Sequence, residues 1–341
     1  GSLAAGAQQS ATLFEGTYTN SYVAHAPMEP HAALAAVEDD RATVWASTQA
    51  PFGVRDSVAQ VLNLPPAKVR VITPFVGGGF GGKSASAQAL EAARLARRAG
   101  RPVMVVWTRE EEFFFDTFRP AAVVKIRSGI DRDGKLALWD YRVYFAGGRG
   151  CENFYTIPHH REAVYGEWHM GPGVHPFAVG PWRAPGANTN VYARDLQLNI
   201  MAAAAGRDPL EFRLNHLEDH RMRGVLQAAA DRFGWTAAKP PSGRGYGISC
   251  GIDAETYVAA MAEVAVDRAS GEITVKRVVC AQDMGQVVNP RGAALQMEGC
   301  ITMGLGYALS EEIHFSDGRL LDVNFDTYTI PHFSRLPEIE T

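Results

Sequence analysis

The segment from Val123 to Phe145 reads VVKIRSGIDRDGKLALWDYRVYF, two alternating runs joined through Asp133-Gly134. An Asp-Gly turn between such runs folds the chain back on itself, so the two strands pair antiparallel. The pattern recurs twice: Tyr257 to Asp283 turns at Ser270-Gly271, and IHFSDGRLLDVNF turns at Asp317-Gly318. Further strands are predicted at Thr43 to Thr48, Val69 to Thr73 and Pro102 to Thr108. Helical periodicity separates these strands. It covers Arg55 to Leu64 (stopped by Pro65-Pro66), SASAQALEAARLARRAG (ended by Gly100), Asn190 to Gly206, Val225 to Phe233 and Arg291 to Glu312. In DPLEFRLNHL, Asp208 suits an N-cap, Pro209 the first helical position and Glu211 the reciprocal capping contact. Hairpins interleaved with helices predict an α+β fold of layered mixed and antiparallel sheets with packed helices, not one doubly wound parallel sheet. Ala146 to Gly186, rich in glycine and aromatics, has no clear period, and AAKPPSGRG reads as a loop or linker.

Composition excludes several functions. A net charge of −4 without a long basic run gives no footprint for nucleic acid. The apolar runs are too short and too often broken by glycine to span a bilayer. The first residues have neither a basic flank nor an apolar core, so they do not read as a signal peptide, and Gly1-Ser2 reads as a tag remnant. Cys151, Cys250, Cys280 and Cys300 lack C-x-x-C spacing, which predicts buried free thiols and not a zinc or Fe–S site.

PFVGGGFGGKS, residues 74–84, satisfies the phosphate-loop pattern G-x-x-x-x-G-K-[ST] from Gly77, between a predicted strand and helix. A nucleotide hydrolase also needs a parallel sheet and a second apolar strand ending in an Asp near the metal. VMVVWTRE ends in Thr108 and Arg109, and VVCAQD reaches Asp283 only across Gln282 and within a hairpin. The hydrolase reading is therefore the weakest of those considered. Five glycines within six residues still point to a role, because each is entropically unfavourable. Their exposed amides and the helix start behind them suit an anionic or acceptor-rich group against Gly79, Phe80, Gly81 and Gly82.

Three further stretches surround GGGFGGK in order: HAPMEPHAALA from His25, GPWRAPGANTNVYARD from Gly180 and VNPRGAALQMEGCITMGLGYALSEE from Val288. Together they resemble the molybdopterin-binding large subunit of the xanthine dehydrogenase/aldehyde oxidase family, in the branch of isoquinoline 1-oxidoreductase and nicotinate dehydrogenase. The resemblance implies a cofactor shell of Gly79, Phe80, Gly81 and Gly82, with Arg183, Ala184 and Gly186 on a second loop and Gln296 on the pterin. It implies a molybdopterin-type molybdenum cofactor, with the cytosine dinucleotide as one form, whose sulfurs hold the metal, so no protein metal ligands are expected. His159-His160 reads as structural, and His25 as packed or hydrogen-bonded and not as a base.

The resemblance also implies the oxidation of an aldehyde or the hydroxylation of an aromatic N-heterocycle, with water as oxygen source. A 2Fe–2S partner subunit, sometimes a cytochrome c, and further large-subunit segments complete such an enzyme, often in the periplasm, otherwise in the cytoplasm. Ser84 stands where purine oxidisers carry an acidic residue, so a purine is disfavoured. Ser84 reads as a helix N-cap, with substrate contact as the alternative. The family's base is a Gly-Glu-Pro glutamate beyond LPEIET, so no residue here is expected to be catalytic and the isolated chain is expected to be inactive. On this likeness residues 1–16 are a tag or linker, 17–220 the first part of the cofactor-binding domain and 221–341 the second. A non-catalytic, cofactor-free assembly module is the competing expectation.

Overall fold

The computed structural model describes residues 1–169, 173–237 and 240–341. The chain opens with α1 (Leu3–Gln9) and β1 (Thr12–Asn20), then β2 (Ala32–Val37), β3 (Ala42–Ala46), α2 (Pro51–Leu62), β4 (Val69–Ile72), α3 (Ala87–Ala99) and β5 (Val103–Val106). It continues through α4 (Arg109–Phe115), β6 (Ala122–Ile130), β7 (Leu136–Tyr144), β8 (His159–Tyr165), α5 (Ala187–Ala204), α6 (Pro209–Leu214) and α7 (His220–Phe233). The last part holds β9 (Arg244–Asp253), β10 (Thr256–Val266), β11 (Ile273–Asp283), α8 (Pro290–Leu309), β12 (Phe315–Ser316), β13 (Arg319–Leu320) and β14 (Glu338–Glu340).

Three four-stranded sheets result, in the orders β4-β3-β2-β5, β1-β6-β7-β8 and β14-β11-β10-β9. Each combines antiparallel pairs with one parallel pair: β3 with β4, β7 with β8 and β11 with β14. The three hairpins expected at Asp133-Gly134, Ser270-Gly271 and Asp317-Gly318 all form, and each of these glycines takes a left-handed φ. The layered mixed α+β architecture is the one the hairpins predicted.

The small sheet buries one face against the alanines of α3 and the apolar stripe of α2 (Val54, Val58, Leu62). The other two sheets share a core, in which α5 and α7 place Met201, Leu198, Met222 and Leu226 against Trp139, Tyr141 and Met261. Each such fully buried large side chain contributes about 1.5–3 kcal/mol of hydrophobic stabilisation. A third cluster, Val23, Phe113, Phe118, Trp182, Ile313 and Tyr328, lies under the loops described next.

Residues 1–16 differ from the expected tag or linker. α1 lies on β7, close enough that a Cβ on Gly6 would sit 3.0 Å from Leu138, and β1 pairs with β6 along its whole length. The aperiodic passage contains β8, and β9 follows the expected loop. Residues 170–172 of that passage and 238–239 of that loop lie outside the described residues. Asp208 caps α6 by accepting from the Leu210 and Glu211 amides, but the Glu211 carboxylate turns to Arg207 and Asn215 and not back to the cap. Cys151, Cys250 and Cys280 are buried free thiols as expected, whereas Cys300 is exposed.

Candidate functional site

The glycine-rich loop folds onto the protein more than it opens to solvent. The Gly81 amide donates to Gln49 Oε1 (3.0 Å) and the Gly82 amide to Gly79 O (2.9 Å). A Cβ on Gly81, whose φ is 123°, would lie 1.7 Å from Pro181 O. One on Gly82 would lie 2.5 Å from Asp116 Oδ2 and 2.8 Å from His25 Nδ1. These two glycines make room for protein atoms, where the sequence suggested only room for a ligand. The amides of Gly79 and Phe80 have no protein acceptor among the described residues. Phe80 turns outward, 38% exposed, with a left-handed φ of 55°.

Lys83 excludes the nucleotide-loop reading. It is fully buried beneath the loop, with Nζ 2.8 Å from Glu29 Oε2, whereas a phosphate-binding lysine must reach the ligand. The strand before the loop, β4, is moreover the edge of a mixed sheet. Ser84 is exposed in a short 3₁₀ turn, and its amide donates to Gly81 O. It does not cap α3, because Ser86 occupies that position.

The second loop, Pro181 to Gly186, meets the first through the Arg183 amide, which donates to Phe80 O at 2.9 Å. Trp182 anchors this loop in the third cluster, with Nε1 donating to Ala24 O at 2.9 Å. Ala184 is exposed with a φ of 59°, and Gly186, with a φ of 77°, starts α5 where a Cβ would lie 2.6 Å from Ala146 O. Phe80 and Ala184 are thus two non-glycine residues in left-handed backbone on facing loops. Such strain, about 1–3 kcal/mol each, persists only where surroundings impose it, and it clusters at functional sites.

Arg183 joins both loops to α8. Its guanidinium donates to Cys300 Sγ (3.1 Å), Met303 Sδ (3.1 Å) and Gln296 O (3.1 Å), and stands 5.9 Å from the Phe80 ring centroid. Four of the residues singled out in sequence, Phe80, Gly81, Arg183 and Gln296, therefore come together from three distant segments. Gln296 presents an exposed side chain, and no carboxylate pairs with Arg183 among the described residues.

Sequence reasoning missed the support beneath. α4 offers Glu112 and Asp116 one turn apart. His31 Nδ1 meets Glu112 Oε1 at 2.9 Å, and His25 Nδ1 meets Asp116 Oδ2 at 2.8 Å. Burial opposes charge on His25, but the Asp116 carboxylate and the Pro181 carbonyl outweigh it and raise its pKa. Burial likewise opposes ionisation of Asp116, yet His25 holds it below the usual carboxylate range. The signal available was REEEFFFD, with acidic residues on one face of a short helix. Gln49, which fixes Gly81, carried no signal. His159 and His160 bond locally to Ser2, Gln9 and Ile157, away from the loops.

Beside the C-terminus of α8, Glu311 is buried and its pKa is pushed up to about 7, chiefly by burial, while the Tyr328 hydroxyl donates to it at 2.9 Å. A folded pKa above the unfolded value means the native state holds the proton. Stability from this group is complete below about pH 4.5 and lost as pH rises to about 7, by up to about 3 kcal/mol. Urea unfolding across this range should show that loss in the native protein and not in Glu311→Gln, and parallel curves would refute the assignment.

Molybdopterin cofactor-binding domain profiles match residues 1–166 and 215–337. A nicotinate dehydrogenase chain of Pseudomonas putida is 28% identical over 95% of this chain and 30% of its own length. The beta chain of isoquinoline 1-oxidoreductase from Brevundimonas diminuta is 28% identical over 93% of this chain and 43% of its own. The chain thus spans less than half the length of these relatives. In fold it superposes on quinoline 2-oxidoreductase from Pseudomonas putida with a TM-score of 0.86 at 16% identity, covering 99% of this chain and 70% of that one. The aldehyde oxidoreductase from Desulfovibrio gigas gives 0.82 at 16% identity, covering 98% and 55%.

Proposed function

We propose that this chain, which belongs to the molybdopterin-binding large subunits of the molybdenum hydroxylase family, holds its cofactor where the Phe80 loop, the Arg183 loop and α8 meet. Arg183 is the observation that carries this placement. Its guanidinium rests on two weakly accepting sulfurs and one neutral carbonyl, none of which cancels its charge, so that charge stays available to an anionic group. The free amides of Gly79 and Phe80 and the exposed Gln296 side chain add neutral donors, which suits a large polar anion. Gly81, Ala184 and Gly186 shape the same wall, with Gly82 behind it and exposed Ser84 at its rim on the substrate side.

When bound, the cofactor supplies the redox chemistry for oxidising an aldehyde or hydroxylating an aromatic N-heterocycle with oxygen from water. The chain's own part is to bind and orient it. Glu29 and Glu112, the glutamates packed under the loop, are committed to Lys83 and His31, so neither offers a free base. The isolated chain is expected not to turn over substrate. In this reading electrons leave to a 2Fe–2S partner and on to a cytochrome c, the cofactor is the cytosine dinucleotide form, and the enzyme works in the periplasm. Among the described residues no helix is long and apolar enough to cross a membrane.

The second reading, a cofactor-free assembly module, draws on the loops being largely closed by internal hydrogen bonds. Pterin fluorescence after acid oxidation separates the two, measured on chain produced in a host that makes the cofactor. Losing a charge-assisted contact of about 1.5–3 kcal/mol should cut retained pterin at least about tenfold in Arg183→Ala, with partial recovery in Arg183→Lys. Unchanged pterin in Arg183→Ala would overturn the placement, and no pterin in the native chain would favour the module.

A further inference from the structure

We infer that His25 is held as an imidazolium that pins the Pro181 carbonyl against Gly81, making it the positioning residue of the two loops. His25 is 3% exposed, with Nδ1 2.8 Å from Asp116 Oδ2 and Nε2 2.7 Å from Pro181 O. A carbonyl only accepts, and so does an ionised carboxylate. Neutral imidazole has a single N–H, so one of these short contacts would set lone pair against lone pair. Only the doubly protonated ring donates to both.

Asp116 is placed to stay ionised. Its Oδ1 already accepts from the Thr117 amide at 2.7 Å. The other charges packed nearby pair off among themselves: Glu112 of α4 with His31, and Glu29 with Lys83 beneath the loop. His25 therefore faces one carboxylate, one carbonyl and the bare backbone of Gly81 and Gly82.

The clamp reaches the candidate site in two bonds. His25 fixes Pro181, and two residues on, the Arg183 amide holds the carbonyl of Phe80. One proton thereby ties the shape of both loops together. Because Asp116 raises the folded-state pKa of His25, the contribution of the clamp is complete below about pH 6.5 and is lost as pH rises through the folded value. At the acid end it is lost as Asp116 takes a proton, below its ordinary value of about 3.8.

The inference concerns the loops and not what they hold, so it can fail while the cofactor reading stands, and the reverse. It is tested on the full chain with ¹⁵N-labelled histidine. The His25 signal is identified by its proximity to Gly82 and by its disappearance in His25→Gln. Both ring nitrogens should be protonated at about pH 6.5, the ordinary histidine value. Amide exchange in residues 78–84 and 180–186, corrected for intrinsic rate, should rise about tenfold in both segments together as that signal titrates, matching loss of one charge-assisted hydrogen bond. Asp116→Asn should move the titration down by at least about one pH unit. A singly protonated ring at about pH 6.5, exchange that rises in one segment only, or an unmoved titration in Asp116→Asn would each overturn it. If the variants do not fold, the native spectrum decides alone.

Discussion

Gly81→Ala is expected to abolish pterin retention and to destabilise the chain by about 3–5 kcal/mol, the sum of overpacking and left-handed strain. The added methyl would lie 1.7 Å from a backbone oxygen, and the φ of 123° disfavours any side chain. The obstacle cannot swing aside, because Pro181 O is held by His25 at 2.7 Å. Relief requires the loop to move, which breaks the Gly81–Gln49 and Arg183–Phe80 hydrogen bonds and separates the two walls of the site. Gly78→Ala is the graded comparison: its φ of 91° brings the same kind of backbone strain, but the methyl meets side-chain atoms, the Phe80 ring at 3.1 Å and Pro27 Cβ at 3.6 Å, and not a backbone oxygen, so it should keep partial retention. Gly53→Ala, with open space around its position in α2, should be neutral or slightly stabilising. Native stability and pterin content in Gly81→Ala would show that the loop is not packed as described.

Arg213→Met should lower stability by about 3–5 kcal/mol, read from the urea midpoint at constant slope. Arg213 is fully buried between α5, α6 and β9. It donates to Asp195 Oδ1 (2.8 Å), to Asn199 Oδ1 (2.9 Å) and to the carbonyls of Pro209 and Ile248. Burial opposes its charge, but Asp195 more than offsets this and its pKa is raised. Removing the guanidinium strands Asp195, which keeps the Cys250 amide at 3.3 Å and Arg194 at 3.5 Å. The loss therefore reflects a buried carboxylate left with only these longer contacts more than a lost attraction. Removing both ends in Arg213→Met/Asp195→Leu should recover much of the deficit. A single-variant loss under about 1 kcal/mol would contradict this account.

How much of the fold the sequence revealed depended on turn chemistry. Asp-Gly and Ser-Gly mark hairpins because glycine accepts left-handed backbone. The β9–β10 hairpin was illegible because Ala254 and Glu255 take positive φ there, at 47° and 59°, without glycine or asparagine. β1 was hidden by Gly16 on its inward face, where a Cβ would lie 2.5 Å from Gln197 Oε1. β8 is an edge strand, mostly exposed, so it carries no apolar alternation.

The same limit holds at the site. The glycine run was plainly special, but which side needed the space was not. The atoms that would strike a side chain belong to Pro181, Asp116 and His25, far along the chain. Resemblance grouped Phe80, Arg183 and Gln296, whereas the buried pairs that hold them join residues far apart in the chain, such as His25 with Asp116 and His31 with Glu112. Partners of a short acidic helix cannot be read from its own residues.

The loops at Phe80 and Arg183, with α8, are proposed to hold a molybdopterin-type cofactor. Molybdenum per chain, measured by elemental mass spectrometry on protein from a cofactor-producing host, tests it most directly. Near-stoichiometric metal, together with pterin and lost in Gly81→Ala, is the predicted result. Native, folded chain without metal or pterin would contradict it.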